Sequence, residues 1–184
     1  QNNEFDTIYH EHINFFNIKS MKKLAENCGL KLHYVEKKPI HGTSYIFVLR
    51  LFSNQKKIKN ILKKEKFLNY KFYKNWGRTC LKNVKFLKRK LSKIKMNTPL
   101  IGYGAAAKGN TLLNYAGIKK DLISCVYDAA KAKQGRFMPG SHIPILPPNQ
   151  LYKSRADYIL ILPWNIASEL KKKNIIKKNN KTKF

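Results

Sequence analysis

Acidic residues and paired cysteines are scarce in this sequence, whereas lysine is abundant. The chain has 10 Asp and Glu against 38 Lys and Arg, and its formal net charge is +28. Its three cysteines, Cys28, Cys80 and Cys125, lie far apart and form no Cys-x-x-Cys pair. This spacing argues against a zinc site made by these residues alone, and an odd count without a secretion signal is typical of a reducing cytoplasm. We expect Cys28 and Cys125, which lie in apolar patterns, to be buried and unreactive.

Long apolar runs are also missing. The longest, such as residues 158–164, fall far short of the roughly 20 residues that span a bilayer, so we expect no membrane contact and a cytoplasmic protein. At 43% hydrophobic residues the chain can still bury a core, which argues against wholesale disorder. The sequence begins with Gln1 and not with Met, and from this we expect a fragment or an excised segment.

Arginine is scarce among the basic residues. The 38 cations comprise 33 Lys and only 5 Arg, and 18 Asn accompany them. Direct reading of bases relies on Arg forks and planar amides, so a Lys and Asn excess spread over the whole chain favours a solvated basic surface over a nucleic-acid face. Such a surface would still attract a phosphorylated substrate. A basic nucleic-acid-binding domain, with steeply salt-dependent binding, stays open as an alternative.

Three regions and a tail follow one another along the chain. In residues 1–52, helical spacing after Asn17, a candidate N-cap, predicts a helix that stops at Gly29, and two strands follow it. Residues 53–96 are Lys-rich and predict one or two amphipathic helices that act as a solvated connector. Residues 97–170 alternate between strands and helices, and residues 171–184 form a basic tail that we expect to fray.

The third region predicts a small parallel sheet. Its segments "PLIGYG", "DLISCVYD" and "ADYILILPW" are typical of strands, the last of them fully buried, and "AAAKGNTLLNYAGI" is typical of a turn and a helix that ends near Gly117. Strands that alternate with helices form Rossmann-like layers. The fold class is therefore α/β, with a helical connector and an incomplete α/β domain before the parallel-sheet domain.

A glycine motif opens the helix of that domain. Gly102, Gly104 and Ala107 satisfy G-x-G-x-x-G/A, and Asp128 follows at the next strand end, where a ribose-binding acid would sit. Glycine lets the backbone approach a phosphate, a helix N-terminus offers free N–H groups, and Lys108 adds a cation. An NAD(P)- or nucleotide-binding accessory domain is one hypothesis, although the region is short for a dinucleotide site. Binding of the phosphate or pyrophosphate of some other ligand is a second hypothesis, and close helix–strand packing without any ligand is a third.

The stretch "YHEH", Tyr9 to His12, allows three interpretations. In an extended segment His10 and His12 would share one face, but a metal site needs at least one more ligand, and none is nearby in sequence. General base chemistry needs a His or Tyr with a partner that sets its basicity, and Glu11 is of the right type. The third interpretation is structural, with polar groups at the mouth of a strand.

Five ordered motifs resemble the C-terminal half of the S-adenosylmethionine-dependent sugar C-methyltransferases, over residues 5–170. They are "FDTIYHEHINFFNIKSMKKLAENCGL", "PIHGTSYIFVLR", "IGYGAAAKGNTLLNYAGI", "KQGRFMPGSHIPI" and "DYILILPWN". The resemblance implies a chain that begins inside the middle, methyltransferase domain and continues through a C-terminal Rossmann-like domain. It places S-adenosylmethionine mainly on preceding residues and zinc only in a preceding N-terminal domain, so this chain is expected to be inactive alone.

The resemblance also implies a reaction and its residues. A base removes the proton next to the keto group of a nucleotide-linked sugar, with C-3 of a 4-keto-deoxysugar as the family expectation, and the enolate takes the methyl group. By resemblance His12 is the base, Tyr9 is an alternative base or an enolate stabiliser, and Glu11 orients or polarises. For His12 to join the other two, the chain must turn after Tyr9 or the site must wrap around it. His10 matches no role and is expected to be structural.

The nucleotide-diphosphate sugar is expected between the two domains, partly on a turn that resembles the family's H-G-G-S. In this sequence Thr43 replaces the second glycine of that turn, which narrows its backbone conformations. The candidate substrate-binding residues are His41, Gly42, Ser44, Gly104, Ala105, Ala106, Lys108, Asn110, Trp164 and Asn165. Trp164 and Asn165 follow a strand end, where α/β sheets place ligands.

Overall fold

A computed structural model describes residues 4–40, 44–54, 56–65, 68–154 and 156–172. The described residues form two compact units. Residues 12–78 form the first, here called the hairpin unit, and residues 4–11 together with 79–172 form the second, here called the parallel-sheet unit. The domain boundaries predicted from the sequence stay predictions.

The hairpin unit begins with helix α1, Ile18–Asn27. Asn17 caps it as predicted, because its side chain accepts the Ser20 N–H at 2.7 Å while the Ser20 hydroxyl accepts the Asn17 N–H in return. Gly29 ends the helix with a φ of +72°, in the left-handed region that favours glycine. The helix and both of its ends are therefore as the sequence predicts.

Two antiparallel strands follow α1 and confirm the prediction of a strand pair. They are β1, Lys31–Lys38, and β2, Ser44–Arg50, paired from Lys31 opposite Arg50 to Lys38 opposite Ser44. Leu32 of β1 is fully buried and packs in one cluster with Ile18 of α1. This cluster is the small core of the hairpin unit.

The Lys-rich region forms two helices, α2, Lys56–Lys64, and α3, Tyr70–Lys95, as predicted. Each helix buries part of its apolar face, so neither is solvated on all sides, and their role as a connector stays a prediction. Ile58 of α2 is 1% exposed in the core of the hairpin unit, and Leu91 of α3 is 4% exposed in the core of the parallel-sheet unit. Glu65, the single acid of the region, accepts the N–H groups of Ile18 and Lys19 at the start of α1, each at 3.1 Å.

The parallel-sheet unit confirms the α/β fold class. Its four strands lie in the order β5-β4-β3-β6, and every neighbouring pair is parallel. They are β3, Leu100–Tyr103; β4, Val126–Tyr127; β5, Ile145–Leu146; and β6, Tyr158–Ile161. Since the chain builds outward from β3 on one side and then crosses to β6 on the other, the order reverses between β3 and β6.

Helix α4, Ala107–Tyr115, follows β3, and a short helix α5, Ala167–Lys172, follows β6. The main core lies between the sheet, α4 and the second half of α3, and it includes Val84, Leu113 and Val126. Strand β6 is less enclosed than predicted, because only Ile159 of its four residues is fully buried. Among the described residues, no helix combines the length and the apolar character needed to cross a membrane.

The cysteines divide by position in the fold. Cys28 is exposed at the C-cap of α1, so the expectation that it is buried is wrong: the apolar spacing of α1 continues past the last residue that packs inward. Cys125 is buried as predicted, and Cys80 is buried as well. Burial raises the pKa of both buried thiols, which keeps them protonated and weakly nucleophilic.

Candidate functional site

The loops after β3 and β6 meet where the strand order reverses, the position at which open α/β sheets place ligands. Gly104 has a φ of +85°, and a Cβ on it would lie 2.5 Å from Pro163 Cδ. A Cβ on Gly109 would lie 2.5 Å from Leu162 Cβ. Contact between the two loops therefore requires Gly104, and contact between α4 and the end of β6 requires Gly109. The Gly109 contact is of the kind that the packing hypothesis expects, although Gly109 lies outside the predicted motif.

Asp128 follows β4 and joins two loops. Its carboxylate accepts the Ala105 N–H at 2.6 Å and the Ala130 N–H at 2.7 Å. Lys133 Nζ lies 3.5 Å from the same carboxylate and donates to the Ala105 carbonyl at 2.9 Å. Asp128, for which the sequence suggested a ribose contact, thus forms a hydrogen bond to the glycine loop of its own chain. The contact of Asp128 with Ala130 has a sequence signal, because an Asp whose side chain accepts from the N–H two residues later forms an Asx-turn. The contacts of Lys133 have no such signal and were not predicted.

Helix α4 starts beside this loop. Its N-cap residue is Ala106, whose methyl side chain makes no capping hydrogen bond to the first N–H groups of the helix. Lys108 places its ammonium 5.0 Å from the centroid of the Trp164 ring, within cation–π range. Asn110 is turned partly to its own helix, since its side-chain oxygen lies 3.3 Å from Asn114 Nδ2.

Trp164 begins a 3-10 turn, Trp164–Ile166, just after β6. Its indole N–H donates to Asp6 Oδ2 at 2.6 Å. The N–H therefore faces a residue of this chain, and the exposed part of the ring faces Lys108. Asn165 follows in the same turn and is half-buried. The Asp6 contact joins residues 158 positions apart, a separation that local pattern cannot predict.

The segment that carries "YHEH" is not a strand. Residues Phe5–Thr7 form a 3-10 turn, the chain bends at Tyr9, and it turns through His10 and Glu11. The interpretation of these residues as the mouth of a strand is therefore wrong, whereas the turn after Tyr9 is confirmed. Tyr9 is half-buried, and the three residues after it are exposed.

The structure groups some of the predicted site residues. Tyr9, Glu11 and all candidates from Gly104 to Asn165 belong to the parallel-sheet unit, and His12 and Ser44 belong to the hairpin unit. The His12 ring packs edge-on against Phe15 at 6.1 Å, and the Ser44 hydroxyl donates to the Ile40 carbonyl at 3.0 Å. His41 and Gly42 lie outside the described residues. The catalytic and substrate-binding roles of all of them stay predictions.

A cavity of about 700 Å³ lies in the hairpin unit, and none of the described residues that line it is a predicted site residue. Its polar lining includes His33, Arg50 and Lys56. Within the part of the chain that the structure describes, no three His, Cys, Asp or Glu side chains converge in a way that could hold a metal ion.

Comparison with known proteins agrees with the fold and the motifs. Residues 39–184 match the family model described as the C-methyltransferase C-terminal domain. The chain is also 32% identical over 180 residues to the C-methyltransferase NovU of Streptomyces niveus, an alignment that covers 92% of this chain and 42% of that protein. The chain thus spans less than half the length of the curated relative that it matches. It belongs to the C-methyltransferase family, whose C-terminal domain it contains.

Proposed function

We propose that the protein containing this chain is an S-adenosylmethionine-dependent C-methyltransferase that acts on a nucleotide-linked keto-sugar. The observation that carries the proposal is the placement of Tyr9 and Glu11 in one compact unit with the loops after β3 and β6 and the start of α4. Tyr9, Glu11 and a phosphate-binding type of helix end thereby belong to the same compact unit. The name of the relative, a C-methyltransferase, supports the reaction type.

The substrate would bind by its diphosphate at the start of α4. A diphosphate is attracted by the positive end of the dipole of that helix and by the ammonium groups of Lys108 and Lys133. The strongly basic surface of the chain adds a long-range attraction for the same charge. The sugar would extend from the diphosphate toward Tyr9 and Glu11.

His12 would then act as the base. It takes the proton from the carbon next to the keto group, and the electron pair of the broken C–H bond forms an enolate, whose oxygen the Tyr9 hydroxyl stabilises. S-adenosylmethionine, when bound, supplies an electrophilic methyl group that the enolate carbon takes up, which leaves the sulfur with the bonding pair. Glu11 orients the proton-transfer groups. We place the methylated carbon next to the keto group, at C-3 of a 4-keto sugar.

The described residues of the hairpin unit do not form a cradle for S-adenosylmethionine. Such a cradle is built on a parallel strand that leads through glycines into a helix, whereas the two strands of this unit are antiparallel. The parallel-sheet unit has such an element in β3, Gly104 and α4, and the proposal assigns it to the diphosphate. We therefore assign the methyl donor to residues of the full-length protein outside this chain, and no step of the proposal depends on its geometry here.

The test uses the full-length protein, labelled methyl donor and a nucleotide-linked keto-sugar. We expect His12→Ala to lower the turnover by about 10²–10⁴-fold, the range for loss of a general base, with an unchanged melting temperature. His10→Ala, the matched control two residues away, should stay within a few-fold of the unsubstituted protein. Near-normal turnover of His12→Ala would remove His12 as the base.

A binding experiment separates the proposal from its alternative. Lys108→Ala should raise the Kd for the nucleotide sugar by about tenfold, because one charge-assisted contact is lost. Binding of NAD to the unsubstituted protein without any response to a nucleotide diphosphate would favour a dinucleotide-binding domain and overturn the substrate class.

A further inference from the structure

A hydrogen bond joins the segment before "YHEH" to the end of strand β6. The indole N–H of Trp164 donates to Asp6 Oδ2 at 2.6 Å. Asp6 is only 5% exposed, although a carboxylate is costly to bury. A buried carboxylate that accepts from an indole across 158 residues needs a reason, since an apolar residue would pack at lower cost.

An apolar contact holds the same segment one residue earlier. Phe5 packs against the main core of the parallel-sheet unit, and its ring centroid lies 5.2 Å from that of Tyr115 in α4. Phe5 and Asp6 are neighbours, yet one contacts α4 and the other contacts the loop after β6. Two contacts on different elements fix the orientation of the segment as well as its position.

Trp164 also contacts the end of the unit where we place the diphosphate. The ammonium of Lys108, in the first turn of α4, lies 5.0 Å from the centroid of the Trp164 ring. One ring therefore contacts a predicted phosphate-binding side chain and, through its N–H, the segment that leads to Tyr9.

The distance from Asp6 to Tyr9 is limited by the chain. Three residues span at most about 10 Å when fully extended. This segment is shorter, because Ile8 donates to the Phe5 carbonyl at 2.9 Å and Tyr9 to the Thr7 carbonyl at 3.2 Å. Fixing Asp6 on Trp164 therefore confines the backbone of Tyr9 to a small volume beside the loop after β6.

We propose that Asp6 and Trp164 are positioning residues, and that their hydrogen bond holds the segment with Tyr9 and Glu11 at a fixed place on the parallel-sheet unit. This inference rests on the proposed function. Neither residue exchanges a proton with the substrate. They act on Tyr9 through the chain, and on Glu11 beyond it, so that these groups meet a sugar whose diphosphate is held near Lys108. Misplacement of a catalytic group by about 1 Å can cost up to about 10²-fold in rate.

The test compares two pairs of variants in the full-length protein. Trp164→Phe keeps an aromatic ring and removes the N–H, and Trp76→Phe is the matched control at the other tryptophan of the chain. Asp6→Ala removes the acceptor, and Asp6→Asn keeps an acceptor of nearly the same shape. We expect Trp164→Phe and Asp6→Ala each to lower kcat by about tenfold or more with KM for the sugar within about twofold, and we expect Trp76→Phe and Asp6→Asn to keep most of the kcat.

A second readout isolates the proton-transfer step. Without the methyl donor, the enzyme should exchange the hydrogen next to the keto group with deuterium from the solvent. The exchange rate should fall in parallel with kcat in Trp164→Phe and Asp6→Ala. The double variant should lose no more than either single variant, because both remove one interaction.

Amide hydrogen exchange tests the contact without any substrate. We expect residues 5–11 to exchange about tenfold faster in Trp164→Phe than in the unsubstituted protein or in Trp76→Phe, since a hydrogen bond to a carboxylate is lost. Unchanged amide exchange and unchanged kcat in Trp164→Phe would overturn the positioning role. A protein that is inactive on every keto-sugar, but whose residues 5–11 lose protection in Trp164→Phe, would overturn the proposed function and leave the contact itself confirmed. If Trp164→Phe fails to fold, the comparison of Asp6→Ala with Asp6→Asn decides in the same way.

Discussion

The Ala105 amide donates to the Asp128 carboxylate at 2.6 Å, and this bond ties the loop after β3 to the loop after β4. The other carboxylate oxygen accepts the Ala130 N–H at 2.7 Å. An Asn at 128 offers one oxygen and one NH₂ group, so one of the two N–H groups would face another donor. We expect Asp128→Asn to lower the free energy of unfolding by about 1–3 kcal/mol, the cost of an unsatisfied buried donor, measured by urea titration.

Asp121→Asn is the matched control for that prediction. Asp121 lies in the same unit and is exposed. Its loss of charge should change the free energy of unfolding by no more than about 0.5 kcal/mol, as is usual at the surface. Equal effects of the two substitutions would mean that charge alone, and not the two N–H contacts, explains the role of Asp128.

Three glycines allow the cost of backbone strain to be measured apart from the cost of a steric clash. Gly104 has a φ of +85° and has Pro163 in the way of a Cβ, Gly135 has a φ of +75° and open space, and Gly77 lies in α3 with open space. We expect Gly135→Ala to destabilise the protein by about 1 kcal/mol through backbone strain, and Gly104→Ala to destabilise it more, because strain and a clash add. Gly77→Ala should stabilise it by about 0.5–1 kcal/mol, since Ala favours a helix.

Thermal or urea unfolding of the three variants checks this order. If Gly104→Ala were no worse than Gly135→Ala, the contact of Gly104 with Pro163 would not constrain the loop. The closeness of the loops after β3 and β6 would then need another explanation.

Two leucines on α3 test whether this helix is part of a core. Leu91 is 4% exposed and packs in the main core, and Leu81, in the same unit, is 42% exposed. Leu91→Ala should cost about 2–5 kcal/mol of unfolding free energy, as cavities in a core do. Leu81→Ala should cost less than about 1 kcal/mol. Similar small costs at both positions would show that α3 contributes little to the core, as expected for a solvated connector.

Local pattern predicted the parts of the fold whose signals lie within a few residues. The Asn17 cap, the stop at Gly29, the two antiparallel strands and the strand–helix alternation after residue 97 all depend on neighbours in sequence. Helical spacing also predicted α2 and α3. It could not show what their apolar faces pack against, because the partners of Ile58 and Leu91 are distant in sequence.

The candidate site shows the same division. The glycine motif and its place after a strand were predicted, and close helix–strand packing was one of the alternatives, whereas the close contact of the two loops was not predicted. The contact of Asp6 with Trp164 was not predicted, since nothing near either residue indicates a partner 158 positions away. The segment around Tyr9 suggested a strand end, because apolar and polar residues alternate by chance in many windows of only eight residues. The short 3-10 turn Phe5–Thr7 has no comparable sequence signal.

Two buried tyrosines predict how stability depends on alkaline pH. Burial raises the pKa of Tyr103, and the nearby Asp128 carboxylate raises it further. Burial also raises the pKa of Tyr127, and its contact with Cys125 adds to the increase. Each hydroxyl keeps its proton in the folded protein at a pH where the unfolded chain has lost it. The folded state therefore binds more protons, and stability falls as the pH rises through about 10, the ordinary tyrosine pKa.

Urea unfolding at intervals between about pH 8 and pH 11 measures this slope. Each tyrosine contributes at most about 1.4 kcal/mol per pH unit above its ordinary pKa. Tyr103→Phe and Tyr127→Phe should each flatten the slope, because the group that titrates on unfolding is removed. Tyr73→Phe, at an exposed position of α3, should leave the slope unchanged. Since every variant keeps the same lysines, only the difference between variants is diagnostic, and equal slopes in all of them would show that neither buried hydroxyl controls alkaline unfolding.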